Sequence, residues 1–391
     1  MKYLVLIGDG MSDLPLKELG GKTPLAAAKT PNLDYLAQNG LCGWANNVPK
    51  GLEPGSDVAA MSIFGYDPKK YYSGRGPLEA ASLGIKLKPG EVAFRCNLVS
   101  VKQGKMKDFT ADHITTAEAR RGFSILNKKL GSREIKFYPG LSYRNLLVVS
   151  TELSKIKCTP PHDITGKPIH NYLPKGKGAQ FLIQLMNEAE VVLHQMDSKA
   201  TMIWPWGQGM APQMPSFKKR FGKKAAVITA VHLLKGLGEI LGMKIIDVPG
   251  VTGYLDTNYK GKAQYALKAL KTNDVVFVHV EAPDEAGHEG DVRKKIKAIE
   301  DFDRLVVGTI LNKIRNPQSA FRILVLPDHP TPIKYMTHTA DAVPFVIYPL
   351  RGRGPRVGGF NEKEIGKSKF KVKAGDQLMK LLFSQLNRLF Y

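Results

Sequence analysis

Residues 276–288 read VFVHVEAPDEAGH, an apolar run that stops on acidic residues and passes into a helical spacing. Two other stretches have the same form: LVLIGDG at 4–10 and ILVLPDHP at 323–330. Each is apolar on both faces, as a strand buried between two layers must be. Tyr3 to Ile7, Ala225 to Ala230, Lys244 to Val248, Val275 to Val280, Phe321 to Leu326 and Val343 to Tyr348 all carry this strand signal. Helical patterns such as Ala263 to Leu270 and Val292 to Leu311 separate most of them, and Pro31 to Gln38, closed by Asn39-Gly40, reads as a helix. The alternation predicts an α/β fold built on a mostly parallel sheet with helices on both faces.

Between about Phe94 and Lys177 the rhythm changes. Phe94 to Lys102 and Arg144 to Thr151 read as half-buried strands around a helix at Thr116 to Lys129, followed by a loop-rich return from Cys158 to Gly178. The expected organisation is a core of residues 1–93 and 178–391 carrying a smaller α+β insertion at 94–177. A last amphipathic helix is expected over Asp376 to Leu389, with Leu378, Leu381, Leu382, Leu386 and Leu389 on its apolar side.

The 391 residues are 43% hydrophobic and 24% charged, which excludes a disordered, fibrous or coiled-coil chain. Fifty-seven Lys and Arg against 35 Asp and Glu leave a charge of +22, pointing to anionic partners. Basic clusters at Lys218-Lys219-Arg220 with Lys223-Lys224, and from Arg351 to Lys373, lack interleaved aromatics or a nucleic-acid-binding motif, so a solvated surface is preferred to a specific nucleic-acid site. Cys42, Cys96 and Cys158 form no CxxC pair, and no stretch suits a signal peptide or membrane span. A cytoplasmic protein is the expectation.

Asp9, Asp284 and Asp328 each follow an apolar strand. In an open parallel sheet the carboxyl ends of strands share one edge. Three carboxylates gathered there repel unless cations neutralise them. His288 lies one helical turn after Asp284, His329 adjoins Asp328, and His338 follows in KYMTHTADAVP. Mixed Asp and His donors suit zinc, manganese or a similar divalent ion better than calcium. Singly, each Asp could be a helix cap and each His a surface residue; together they predict metal. Ser56, in GLEPGSDVAAMSIFGYDP, stands at or near a helix amino terminus, where anions are favoured. It is either a helix cap or a metal-activated nucleophile, and the neighbouring ligands favour the nucleophile.

In order along the chain, GDGMSD, PGSDVAAMS, EAPDEAGHEGD, LPDHPTP and THTAD resemble the archaeal-type cofactor-independent phosphoglycerate mutases of the alkaline phosphatase superfamily. TPLAAAKTPNLD, GRGPLEAA, FRCNLV, PPHDITGK, WGQG and VTGYLDTNY extend the resemblance through most of the chain. It implies an alkaline phosphatase-like core and two divalent ions, manganese foremost, with magnesium, cobalt or zinc as alternatives. Asp284, His288 and His338 would hold one ion; Asp9, Ser56, Asp328 and His329 the other. It further implies that Ser56 takes the phosphoryl group of 3-phosphoglycerate and returns it to the 2-hydroxyl, with no need of 2,3-bisphosphoglycerate.

The insertion would then act as a lid, offering Arg95, His113, Arg144, His162 and Lys167 to the substrate and Asp163 as a proton acceptor or orienter. Lys235 is a candidate for reaching the transferring phosphoryl group, and Arg75 is read as structural. His232 stands where the family pattern leads us to expect an acidic residue, and TADHITT around His113 matches only approximately. A homoserine kinase-like phosphotransferase and a metal-dependent phosphomonoesterase remain alternatives, whereas a sulfatase fails for want of a Cys-x-Pro-x-Arg stretch. Oligomeric state stays open.

Overall fold

A computed structural model describes residues 1–150, 153–196, 198–314, 321–350 and 357–384. Thr151, Arg351, Leu386 and Leu389, named above, lie outside the described residues. In chain order the strands are β1 (Lys2–Gly8), β2 (Leu41–Ala45), β3 (Val92–Lys102), β4 (Lys105–Asp108), β5 (Ile135–Leu141), β6 (Arg144–Val149), β7 (Met202–Gly209), β8 (Ala225–Ile228), β9 (Lys244–Ile245), β10 (Val275–Val280), β11 (Phe321–Leu326), β12 (Val343–Tyr348) and β13 (Lys371–Val372).

The first unit, residues 1–72 and 214–391, holds an eight-stranded sheet in the order β13-β2-β12-β11-β1-β10-β8-β9. Its centre is parallel, as the apolar runs predict: β1 pairs β10 and β11, and β10 pairs β8. The expected α/β class is therefore observed. Strand direction was not readable from composition: β12 runs antiparallel to both β11 and β2. The strands β2 and β13 escaped the sequence reading because one contains a glycine and the other is two residues long. Leu4, Leu6, Val276, Val278, Ile323 and Val325 pack into a core with helical residues such as Leu33, Ala266 and Phe302, and burial of such side chains is worth about 1.5–3 kcal/mol each.

Register positions the site. Gly8 lies opposite Val280, and Ile7 opposite Leu326. The strand ends are therefore level, and the residues just beyond them, Asp9, Glu281 and Asp328, leave the sheet on one edge.

The second unit spans Ser73–Gln213, wider than the 94–177 insertion expected from sequence. The cause is pairing and packing at both flanks. The helix Arg75–Ser82 lies so close to β3 that a Cβ on Gly76 would come within 2.2 Å of the Ala93 carbonyl oxygen. On the other flank β7 pairs antiparallel with β3, and the helix Ala179–His194 buries Leu182, Leu185, Met186 and Leu193 among Phe94, Leu98 and Phe123. β3 also pairs β4 and β6, and β5 pairs β6, all antiparallel. The helix at Thr116–Leu130 starts from a capping box in which Thr115 and Glu118 bond each other's backbone N–H.

Two helices differ from expectation. The helix begun at Val292 continues through a π turn at Phe302–Val307 to Ile314. Among the described residues the terminal helix covers Leu378–Phe383 and Ser384 is extended, whereas residues 385–389 of the expected helix lie outside the described residues. No helix of the described residues is long and apolar enough to cross a membrane.

Candidate metal and phosphoryl-transfer site

Asp284 and His288 lie on the helix Ala282–His288, which follows β10 directly, so their four-residue spacing stacks them on one face. His338 arrives from the segment after β11. His288 Nε2 lies 3.2 Å from Asp284 Oδ2, His338 Nε2 lies 3.4 Å from Asp284 Oδ1, and the two Nε2 atoms are 2.9 Å apart. Their Nδ1 atoms face carbonyl oxygens, of Met336 at 3.0 Å and Pro54 at 3.3 Å. A carbonyl only accepts, so each Nδ1 carries a proton and Nε2 is the ring nitrogen turned inward toward Asp284. Two inward Nε2 atoms and a carboxylate converge on one point, where a proton on His288 bridges them without metal and a divalent cation could replace it and satisfy all three.

Asp9 and Asp328 build the neighbouring position. Asp328 Oδ1 accepts N–H bonds from Gly10 (3.1 Å) and His329 (2.8 Å), leaving Oδ2 buried and without a hydrogen-bond partner. His329 Nε2 lies 3.3 Å from that Oδ2 and 3.6 Å from Asp9 Oδ1. Thr331 Oγ1 donates to Asp284 and so accepts from His329 Nδ1 at 3.3 Å, which fixes the tautomer of this third imidazole. Gly10, at φ +59°, is required here: a Cβ would sit 2.5 Å from both Asp284 Oδ1 and Thr331 Oγ1.

Ser56 is the first residue of the helix Ser56–Ile63, after Gly55. Its Oγ lies 3.5 Å from each Asp9 carboxylate oxygen and 3.3 Å from His329 Nε2. The hydroxyl thus faces the carboxylate and imidazole cluster, in addition to sitting at a helix amino terminus.

Electrostatics agree. Burial, reinforced by the charges of Asp328 and Asp284, pushes the Asp9 carboxyl well above the usual carboxylate range. Burial acts the same way on Asp284, but bonds to His288 and His338 override it and hold that carboxyl well below the range. The bond to Asp284 raises His288 to about 9, and burial pulls His329 down. The metal-free cluster therefore retains protons that a cation would replace.

All seven expected metal donors, Ser56 included, are brought together in the first unit. Lys235, in the same unit, pairs with Asp247 at 2.7 Å. In the second unit Arg95 and Arg75 lie over the Trp206 ring at 5.2 and 5.5 Å. Arg95 is buried, and burial together with the nearby Arg144 and Arg75 charges lowers its pKa against the opposing pull of Glu79. His162 packs edge-on to Trp206, 5.3 Å between ring centres, and lies 3.7 Å from Asp163. Lys167 Nζ bonds the Asp163 carbonyl oxygen at 2.8 Å. His113 occupies a left-handed turn beside Asp108. Arg75, read as structural from sequence, thus joins Arg95 and Arg144 in one arginine group.

Two neighbours of the ligands were missed. Thr331 gave no signal beyond its place in LPDHPTP. His279 did: it is a polar residue inside the apolar run VVFVHV.

The fold is α/β, and a serine hydroxyl faces a cluster of carboxylates and imidazoles that could hold a divalent metal. A sequence profile described as 2,3-bisphosphoglycerate-independent phosphoglycerate mutase matches residues 37–198. A protein of that name from Methanosarcina acetivorans is 52% identical, with 96% of this chain and 98% of the relative covered. One of the same name from Methanosarcina barkeri is 54% identical over 89% and 90%. Among solved structures, a Pyrococcus horikoshii protein is similar with a TM-score of 0.84 and 30% identity, covering 99% of this chain and 97% of its own. The cofactor-independent phosphoglycerate mutase of Thermoplasma acidophilum follows at 0.68 and 27%, covering 99% and 100%. The chain belongs to the 2,3-bisphosphoglycerate-independent phosphoglycerate mutase family.

Proposed function

We propose that this protein interconverts 3-phosphoglycerate and 2-phosphoglycerate through a phosphoserine at Ser56, without 2,3-bisphosphoglycerate. The observation that carries the reading is the placement of Ser56 Oγ within 3.3–3.5 Å of His329 and Asp9, among converging metal donors. Divalent ions, manganese foremost and two in number, would lower the pKa of the hydroxyl and offset charge on the phosphoryl oxygens. Asp284, His288 and His338 would hold one; Asp9, Asp328, His329 and Ser56 the other.

Ser56 Oγ attacks phosphorus, the bond from phosphorus to the 3-oxygen breaks, and that oxygen takes up a proton as the serine loses one. Glycerate then turns, its 2-oxygen attacks the phosphoserine, the bond to Oγ breaks, and Ser56 recovers its proton. Water must be excluded between the two transfers, or hydrolysis competes. Arg95 and Arg144, whose planar guanidinium forks match carboxylate and phosphate, are the proposed substrate contacts, with His113, His162 and Lys167 beside them. Asp163 is the proposed orienter, and Lys235 a further phosphoryl contact. The three free cysteines suit the cytoplasm, the compartment we propose. The anionic partner of this basic chain is then its phosphorylated substrate, with no specific nucleic acid or membrane required.

The test is conversion of 3-phosphoglycerate with manganese and without 2,3-bisphosphoglycerate, beside Ser56→Ala and a chelated sample. Turnover in the wild type, lost in both controls, is the expected result. A folded, metal-loaded wild type that fails to convert it overturns the mutase reading, and transfer to homoserine or plain ester hydrolysis would replace it.

A further inference from the structure

His279 lies on β10 and is 1% exposed. Its Nδ1 faces Glu281 Oε1 at 3.3 Å and Thr229 Oγ1 at 3.4 Å. Glu281 acts wholly as an acceptor here: it takes hydrogen bonds from Ala230 N (2.6 Å), Thr229 Oγ1 (3.0 Å) and the buried Lys262 Nζ (2.5 Å). Lys262 Nζ also donates to the His279 carbonyl oxygen at 2.7 Å, tying the strand to the same network. With Thr229 already donating to Glu281, Nδ1 must carry a proton, and Nε2 is directed the other way. Against the pull of burial, bonds to Asp328 and Glu281 raise the imidazole to about 9 in the metal-free protein, so a cation at Nε2 would displace a proton.

Nε2 points at two acceptors, Asp9 Oδ2 at 3.4 Å and Asp328 Oδ2 at 3.8 Å. Both His279 Nε2 and Asp328 Oδ2 are fully buried and lack a hydrogen-bond partner. Leaving such atoms unmet costs about 1–3 kcal/mol each. These three donor atoms lie within 4.8 Å of one another. The arrangement repeats that of His288, His338 and His329: Nδ1 is anchored on an acceptor and Nε2 is turned toward carboxylate. A carboxylate behind a metal-bound imidazole is a recurrent way to fix its tautomer and raise its basicity.

We propose that His279 is a metal ligand, closing with Asp9 Oδ2 and Asp328 Oδ2 a third cation position, additional to the two proposed above and bordering the one flanked by His329. Asp9 can serve both, since Oδ1 faces His329 and Oδ2 faces His279. One nitrogen and two carboxylate oxygens suit manganese, cobalt or zinc. Glu281 is a positioning residue here, acting through the imidazole. The inference rests on the metal reading of the cluster and is independent of the substrate.

The experiment measures metal by mass spectrometry on the full chain, loaded with Mn2+ and gel-filtered, for the wild type, His279→Gln and His279→Ala. Circular dichroism confirms that each variant is folded. Crystals of the Mn2+-loaded wild type, read by anomalous scattering, test the same point without any variant. The expected result is one ion fewer per chain, or at least about tenfold weaker retention of one ion, in both variants, with an anomalous peak about 2.0–2.2 Å from His279 Nε2. Unchanged metal content and affinity in the variants, with no peak at Nε2, would overturn the inference and leave His279 an imidazolium that neutralises the carboxylates. Absence of bound metal from the wild type as well would overturn the metal reading of the whole cluster, a distinguishable failure.

Discussion

His288 and His338 hold their Nε2 atoms 2.9 Å apart while the carbonyls of Met336 and Pro54 occupy their Nδ1 atoms. Without a cation, a proton on His288 Nε2 has to hold this contact together beside the Asp284 carboxylate, and a metal ion takes that proton's place. Metal should therefore contribute to folding stability as well as to chemistry. At a hundred times its dissociation constant, Mn2+ should add about 2.7 kcal/mol. Thermal melts with Mn2+ and with chelator check this, and identical midpoints would show that no ion prefers the folded state.

The pH dependence has opposite signs with and without metal. In the metal-free protein the bond to Asp284 raises His288 from 6.5 to about 9. A raised folded-state pKa contributes stability that is fully present below 6.5 and lost as pH rises through 9. Metal must displace that proton, so Mn2+ affinity should increase from pH 6.5 toward 9. Calorimetric titration in two buffers of different ionisation enthalpy should show proton release on binding. A pH-independent affinity would contradict the arrangement.

Thr331 links the two candidate metal positions, donating to Asp284 and accepting from His329. Thr331→Val keeps the shape and removes both bonds. Metal affinity should fall about 10- to 100-fold while the circular dichroism spectrum stays that of the wild type. An unchanged Mn2+ titration would show that the hydroxyl does not orient His329.

Lys295 is fully buried, with Nζ 2.7 Å from Asp13 Oδ2 and 2.8 Å from the Thr331 carbonyl oxygen. Lys295→Met strands the Asp13 charge, and breaking a buried pair on one side costs about 3–5 kcal/mol. Urea denaturation should report that loss. The double variant Lys295→Met with Asp13→Leu should recover much of it, since no unpaired charge then remains.

Where the site sits was legible because chemistry there interrupts a pattern. Asp9, Asp284 and Asp328 break apolar strands at their ends, and the histidines follow at short spacings. His279 was passed over because a single polar residue in VVFVHV leaves the strand signal intact; its function depends on Glu281 and Thr229, and Thr229 is distant in sequence. The direction of β12 was also unreadable, since a fully buried run looks alike in either orientation. The second unit's borders were misplaced for a similar reason. MIWPWGQG, with its Pro and two Gly, resembles a loop, and only pairing with β3 makes it a strand.

β1 lies between β10 and β11, so both partners of the first strand are synthesised hundreds of residues after it. The ribosome adds about 5–20 residues per second, which leaves the nascent β1 segment without its neighbours for tens of seconds. During that interval LVLIG is an unpaired apolar strand, the kind of segment that recruits other chains. The second unit, whose strands all lie between residues 92 and 209, can complete its own sheet in the meantime. The centre of the large sheet, and with it the edge that carries Asp9, can therefore close only after β10 and β11 have been made.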